Sequence, residues 1–171
     1  MNKLETFAKS DAGKLALYAG GALTVLMECY ETFVLTPKIQ KAAGDRTIFD
    51  TAFMNTPEQM QEFLDNLTDE GKDLFRNTYL KSDNIYPLVY TTFFSLFLAR
   101  FTDKTDWRAC LPLALMVFDY AENYGSAKML DTGKAEPAFA RFANTMTKAK
   151  MMSLLATINL SLLAWWQSRK D

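Results

Sequence analysis

Histidine is absent from all 171 residues of this chain. Its absence removes the usual general base near neutral pH, the most common protein ligand of zinc and haem iron, and the familiar hydrolase triads. Cysteine is scarce, because only Cys29 and Cys110 occur and each lies in an apolar stretch. Neither a disulfide framework nor a metal-binding spacing results. The sequence therefore predicts no metal site and no cofactor, and favours a structural or binding role over catalysis.

An excess of charge of one sign is also missing. Lysine and arginine number 19 against 20 aspartate and glutamate residues, which gives a formal net charge of -1. Such a chain has no long-range field that would gather phosphate groups, so we expect no nucleic-acid partner. The length fits a single domain.

What the chain does contain is four apolar segments, at about residues 15–37, 84–101, 109–130 and 151–168. In water, the helices of a bundle should each show a continuous polar stripe, which these uncharged runs exclude over three or more turns. The segments predict an all-α protein, a four-helix transmembrane bundle that forms a single helical membrane domain over residues 1–171. The expected location is integral in a membrane, with an organellar inner membrane among the candidates.

A short amphipathic helix is predicted between the first and second long helices. Thr56 can cap it, Pro57 suits its first position and Gln59 can complete a capping box, so the helix should run from Pro57 to Leu67. Thr68 offers a second cap. Pro87, inside the second apolar segment, should kink the helix or mark a boundary within it.

The composition leaves a soluble four-helix bundle open as the alternative. Mean hydropathy is only -0.10, which is low for a protein that crosses a membrane several times. The length of the uncharged runs nevertheless favours the membrane. The end of the last segment agrees with this, because paired tryptophans followed by basic residues are typical of membrane interfaces. The predicted interface anchors are Trp165, Trp166, Arg169 and Lys170.

Polar residues recur at helical spacing on the apolar segments. A carboxylate that faces lipid costs about 2.5 kcal/mol or more, so such groups normally face the interior of a bundle. We expect a cluster there of Asp83, Tyr86, Tyr90, Asp119, Glu122 and Asn123. The secondary members are Glu28, Glu31, Tyr79 and Asn159.

This cluster has two interpretations. It can form an acidic and phenolic pocket that binds a cation, a polar headgroup or a protonatable substrate, in which one of two paired acids has a raised pKa. It can equally be hydrogen-bonded contact between helices, and Glu28 and Glu31 can simply reach the membrane interface. A divalent cation is disfavoured, since no dense carboxylate motif accompanies the acids.

The residues also resemble a family of small, uncharacterised four-helix membrane proteins. The resemblance rests on Asp83-x-x-Tyr86-Pro87-x-x-Tyr90, on Asp119-x-x-Glu122-Asn123, and on the helix that begins at Thr56-Pro57-Glu58, followed by Glu70-Gly71 and Tyr79. It extends from Leu15 to the last helix. It implies a protein with four membrane spans and supplies no activity.

The leading functional hypothesis is a non-enzymatic accessory or structural subunit, or a lipid-contacting component, of a larger membrane assembly. Its expected partners are membrane lipids and other membrane protein subunits. The alternative is a membrane enzyme or carrier that acts on a lipid-like substrate. In that case Asp119 and Glu122 would serve as acid and base or as headgroup ligands, and Asp83, Tyr86 and Tyr90 would orient the substrate.

Overall fold

A computed structural model describes residues 3–48, 55–102, 108 and 110–170, and within these ranges the protein is all-helical. Two π-helical segments, Glu31–Leu35 and Phe75–Tyr79, join α2 to α3 and α5 to α6. The helices are α1 Lys3–Lys9, α2 Asp11–Tyr30, α3 Thr36–Ala42, α4 Pro57–Asn66, α5 Asp69–Leu74, α6 Leu80–Phe101, α7 Cys110–Thr132 and α8 Pro137–Gln167.

The π-helical segments let two helices continue where a regular α-helix would be interrupted. Pro37 has no N–H, and its ring would conflict with the carbonyl group four residues earlier in an α-helix. Just before it, the N–H of Thr36 donates to the carbonyl of Glu31, five residues back. In the second segment the N–H of Leu80 likewise donates to the carbonyl of Phe75. Each wider turn therefore keeps the chain helical, from α2 through α3 and from α5 through α6.

The four long helices α2, α6, α7 and α8 pack as antiparallel neighbours in chain order. In each pair of neighbouring helices, the residue numbers of the contacting residues increase along one helix and decrease along the other. The two helices therefore run in opposite directions. For α2 with its π segment and α6, the pairs are Gly21 with Phe93, Glu28 with Tyr86, and Glu31 with Ser82. For α7 and α6 they are Asp119 with Tyr90 and Asn123 with Asp83. For α7 and α8 they are Gly125 with Ala143, Glu122 with Thr147, and Asp119 with Lys150.

The main hydrophobic core lies at one end of this bundle, where the short helices cover it. Phe63 from α4 and Phe75 from the second π segment are fully buried, with ring centroids 5.9 Å apart in an edge-to-face arrangement. Ile39 and Met129 are buried with them. The short helices thus close one end of the bundle. A smaller cluster of Ala8, Leu17, Leu96 and Ala99 lies elsewhere, among α1, α2 and α6.

The predicted helix starts agree with the structure. Thr56 and Gln59 form a reciprocal capping box at α4, and the Thr68 hydroxyl accepts from the N–H of Gly71 at α5. Pro87 lies buried inside α6 without ending it.

The predicted bounds of the first and last long helices were too short. The first continues through its π segment to Ala42, and the last begins at Pro137 rather than near residue 151. The reason in α8 is packing, because Ala140, Ala143 and Thr147 are buried although charged and polar residues recur between residues 141 and 150.

The all-α part of the predicted fold is confirmed, but its transmembrane part has no support from the structure. Among the described residues, no helix combines the length with the apolar character that crossing a bilayer requires. Charged residues interrupt the long helices, as Glu28 does in α2 and as Lys148 and Lys150 do in α8.

Candidate functional site: a polar and apolar groove between α2 and α8

A cavity of about 580 Å³ lies between α2 and α8, with α6 and α7 forming its floor. Its residues divide by position along the bundle. One end carries charged and phenolic groups, namely Glu28, Glu31, Tyr79, Asp83, Tyr86, Asp119 and Lys150. The other end is mainly apolar and includes Val25, Phe94, Leu115, Leu154 and Ile158. We call this cavity the groove, and its two parts the polar end and the apolar end.

Asp119 connects three helices beneath the groove. Only 3% of the residue is exposed. Its Oδ2 accepts a hydrogen bond of 2.7 Å from the Tyr90 hydroxyl on α6, and its Oδ1 lies 3.3 Å from the Lys150 ammonium on α8. A buried carboxylate needs such partners, because an isolated charge in the interior is very costly.

Glu122 lies one helical turn further along α7 and is fully buried. Thr147 donates its hydroxyl proton to one carboxylate oxygen, and the Lys150 ammonium forms an ion pair with the other. Lys150 is therefore shared by Asp119 and Glu122. This arrangement explains why two acids three residues apart can both be buried on one face of α7.

Pro87 explains the position of Asn123. In an α-helix the carbonyl of Asp83 would accept from the N–H of residue 87, but proline has none. The Asn123 side-chain amide on α7 donates to that carbonyl instead, at 3.0 Å. The Asp-x-x-Tyr-Pro and Asp-x-x-Glu-Asn motifs thus meet in one contact between α6 and α7.

Glu28 and Glu31 bring α2 into the site. Glu28 accepts from the Tyr86 hydroxyl at 2.9 Å and from Thr32 at 3.0 Å, while Glu31 accepts from the Ser82 hydroxyl at 2.7 Å. Glu31 is buried and lies in the first π segment, whereas Glu28 is exposed. The wide π turns therefore flank the polar end of the groove, with Glu31 on one side and Tyr79 on the other.

The tyrosines serve as hydrogen-bond donors. Burial raises the pKa of Tyr90, and the negative charges of Asp119 and Asp83 raise it further. The pKa of Tyr86 is raised by burial and then by Glu28. Both hydroxyls therefore stay protonated at neutral pH and can donate to the carboxylates.

The structure brings most of the expected cluster together. Asp83, Tyr86, Tyr90 and Asp119 line the groove, as do Glu28, Glu31 and Tyr79. Glu122 and Asn123 lie behind this surface. The structure does not bring Asn159 to the groove, because this side chain is exposed and donates to the Leu155 carbonyl of its own helix.

The expected interface anchors lie outside the groove, at the end of α8. Trp165 and Trp166 are exposed, and each ring has a basic group over it. The Arg169 guanidinium is 4.6 Å from the Trp165 ring centroid, and the Lys170 ammonium is 3.4 Å from that of Trp166.

Lys150 is the residue that sequence reasoning missed. It was not among the predicted cluster residues, although Thr147, Lys150, Leu154 and Ile158 recur at three- and four-residue spacing. That spacing places the lysine on the face that α8 turns toward the groove. This spacing is visible in the sequence, but the predicted helix began at residue 151 and therefore left Lys150 outside it.

Cys29 lines the groove and is exposed, although it lies in an apolar stretch of the sequence. The side chain of Cys110 lies outside the described part of the structure. Among the residues that the structure describes, no three acidic, cysteine or histidine side chains are arranged to hold a metal ion.

Comparisons with known proteins add nothing to these geometric observations. No family model matches this chain, and neither a curated protein nor a solved structure matches it.

Proposed function

We propose that this protein is a non-enzymatic binding subunit that holds a lipid-like molecule in the groove and works at an apolar interface. Membrane lipid or neighbouring subunits of a membrane assembly provide that interface. The groove is the observation that carries the proposal, since its polar end continues directly into an apolar end. A molecule with a polar head and an apolar chain matches this arrangement, and ligand sites commonly combine an apolar lining with a few polar groups.

The outer surface of the helices beside the groove supports the interface part of the proposal. Along α2 and the first π segment, large apolar side chains are exposed, including Leu15, Leu26 and Phe33. On α8, Leu155 and Leu162 are exposed in the same way. Extended apolar surface on a folded protein commonly marks contact with a membrane or a partner.

The paired carboxylates support binding over catalysis. Tyr90, Thr147 and Lys150 already occupy oxygen atoms of Asp119 and Glu122. A general acid or base must instead reach a reacting group within hydrogen-bond distance. The proposal therefore assigns Asp119 and Glu122 to holding α6, α7 and α8 in register under the groove.

The test places a large side chain in the apolar end. Leu154→Trp should fill part of the groove and weaken binding of a fluorescent alkyl-chain probe by roughly tenfold or more, since lost apolar contacts of about 1.4 kcal/mol give that factor. Leu155→Trp is the matched control, because Leu155 is the next residue on α8 and faces outward with 56% exposure. Equal binding by both variants would contradict a ligand in the groove.

A second candidate is a purely structural subunit, which the exposed apolar surfaces favour independently of the groove. In that case a tagged chain extracted in mild detergent should copurify with other proteins in fixed ratio. Recovery of the chain alone, at its own 19.4 kDa plus bound detergent, would count against this candidate.

A further inference from the structure

We propose that the ligand of the groove has a positively charged headgroup, a primary or quaternary amine, attached to an apolar chain. This inference rests on the proposed function and names the class of molecule. The headgroup would lie at the polar end among Glu28, Glu31 and Tyr86, and the chain would extend along the apolar end.

The charges of the lining residues determine which sign of charge the headgroup should carry. Four of the described groove residues are carboxylates, namely Glu28, Glu31, Asp83 and Asp119, whereas Lys150 is the single cation among them. The Lys150 ammonium already contacts Asp119 and Glu122, the latter behind the groove surface. A cationic headgroup at the polar end would reduce this excess of negative charge. An anionic headgroup would face like charges where water is partly excluded and their repulsion is stronger.

The tyrosines add a feature that an acidic cluster alone does not have. The rings of Tyr86 and Tyr90 are perpendicular, with centroids 5.1 Å apart, and both residues line the groove. Their hydroxyls are used by Glu28 and Asp119, and Tyr90 is only 5% exposed, so the partly exposed ring of Tyr86 is the aromatic surface that a ligand can contact. Aromatic rings beside carboxylates are suited to organic ammonium groups, which bind ring faces through cation–π attraction.

The dimensions of the groove favour an amphiphile over a small amine. Asp83 at the polar end and Phe94 at the apolar end both lie on α6, separated by eleven residues. At a rise of about 1.5 Å per residue, this separation is roughly 16 Å along the helix. Leu154 and Ile158 of α8 line the apolar end together with Phe94. A headgroup alone would leave this end of the groove unfilled.

The experiment compares three probes that share a dodecyl chain length: dodecyltrimethylammonium, dodecyl maltoside and dodecanoate. Each displaces the fluorescent alkyl-chain probe from the full chain, below its micelle-forming concentration. We expect the cation to compete at least roughly tenfold more strongly than the maltoside, and dodecanoate to be the weakest competitor. Added salt should weaken competition by the cation without affecting competition by the uncharged maltoside.

A charge-removing variant locates the headgroup. Glu28→Gln keeps the size and should reduce the preference for the cation over the maltoside, because one of the four groove carboxylates loses its charge. Glu58→Gln is the matched control, since Glu58 is an exposed acid on α4 outside the groove. Thermal unfolding of each variant establishes that both remain folded, and Glu28 is suited to this test because it is exposed.

The outcomes separate this inference from the proposed function. Equal competition by all three probes, blocked by Leu154→Trp, would overturn the cationic headgroup and leave a lipid-like ligand standing. If Leu154→Trp does not affect displacement of the fluorescent probe, both the cationic headgroup and the lipid-like ligand in the groove would be overturned. Stronger binding of the cation that persists in full in Glu28→Gln would also overturn the headgroup position proposed here.

Discussion

At the scale of single residues, Lys150 decides whether the buried acids can be tolerated. Its side chain is 15% exposed, while those of Asp119 and Glu122 are 5% and 0% exposed. One ammonium thus serves two carboxylates that would otherwise repel each other. Because a buried ion pair is often no more stable than an apolar substitute, its presence does not itself make the protein stable. Loss of one partner is the damaging change.

Lys150→Met therefore tests this site directly. The variant keeps an unbranched apolar stem of similar length but removes the ammonium group that Asp119 and Glu122 share. We expect the free energy of unfolding, measured by chemical denaturation, to fall by about 3 kcal/mol. Lys148→Met, two residues away on the same helix, should change it by less than about 0.5 kcal/mol. Similar losses in both variants would show that the shared ion pair is not what Lys150 contributes.

The tyrosines predict how stability depends on alkaline pH. The pKa values of Tyr86 and Tyr90 are raised in the folded protein, whereas tyrosine in an unfolded chain loses its proton near pH 10. Above about pH 10 the unfolded state therefore binds fewer protons than the folded state, and stability falls as pH rises. The melting temperature should decline between about pH 8 and 11, and this decline should be shallower in Tyr90→Phe. Tyr18→Phe, at an exposed tyrosine, should retain the full decline.

At the scale of helices, a proline in one helix specifies a side chain in the next. Pro87 leaves the Asp83 carbonyl without its donor in α6, and Asn123 of α7 supplies one. A buried carbonyl without a partner costs about 1–3 kcal/mol, so this contact fixes which turns of α6 and α7 lie side by side. The two π segments act within single helices, where they keep α2 and α6 continuous beside the groove.

A double-mutant cycle tests the contact between Pro87 and Asn123. Asn123→Ala should lower the free energy of unfolding by about 1–3 kcal/mol, because it leaves the Asp83 carbonyl unsatisfied. Pro87→Ala restores an N–H at that position, so the combined variant should lose less than the sum of the single losses. Denaturation should give a coupling energy of at least about 0.5 kcal/mol. Strictly additive losses would mean that the two residues act independently.

At the scale of the whole molecule, apolar surface is distributed unevenly. The core cluster lies at the end covered by the short helices, whereas α2 and α8 expose large apolar side chains beside the groove. The end of α8 adds Trp165 and Trp166, each beneath a basic side chain. This distribution suits a protein that meets lipid or another subunit along these helices.

The double variant Trp165→Ala with Trp166→Ala tests that surface. Since both rings are exposed, the melting temperature and helical content should remain close to those of the parent, while association with membranes or a copurifying partner should weaken. Phe63→Ala is the contrasting control, because this ring is fully buried and its loss should cost about 3–5 kcal/mol. Loss of helical content in the tryptophan variant would place the pair in the core instead.

Much of the fold could be predicted from local sequence. The starts of α4 and α5 follow from Thr56, Gln59 and Thr68, whose side chains satisfy N–H groups a few residues away. The shared face of Tyr79, Asp83, Tyr86 and Tyr90 follows from their three- and four-residue spacing in the sequence. The start of α8 was missed because charged and polar residues interrupt residues 137–150, and only packing against α7 shows which of their faces is buried.

The sequence by itself determined that the chain is helical, where its caps lie and which polar groups each apolar helix carries, because these features depend on residues within a few positions of one another. The tertiary structure alone decided which groups meet. It paired Lys150 with Asp119 and Glu122, turned Asn159 outward, and formed the groove between α2 and α8, which are far apart in the chain. Those outcomes depend on the rotation and register of whole helices, and these are fixed by packing between distant segments.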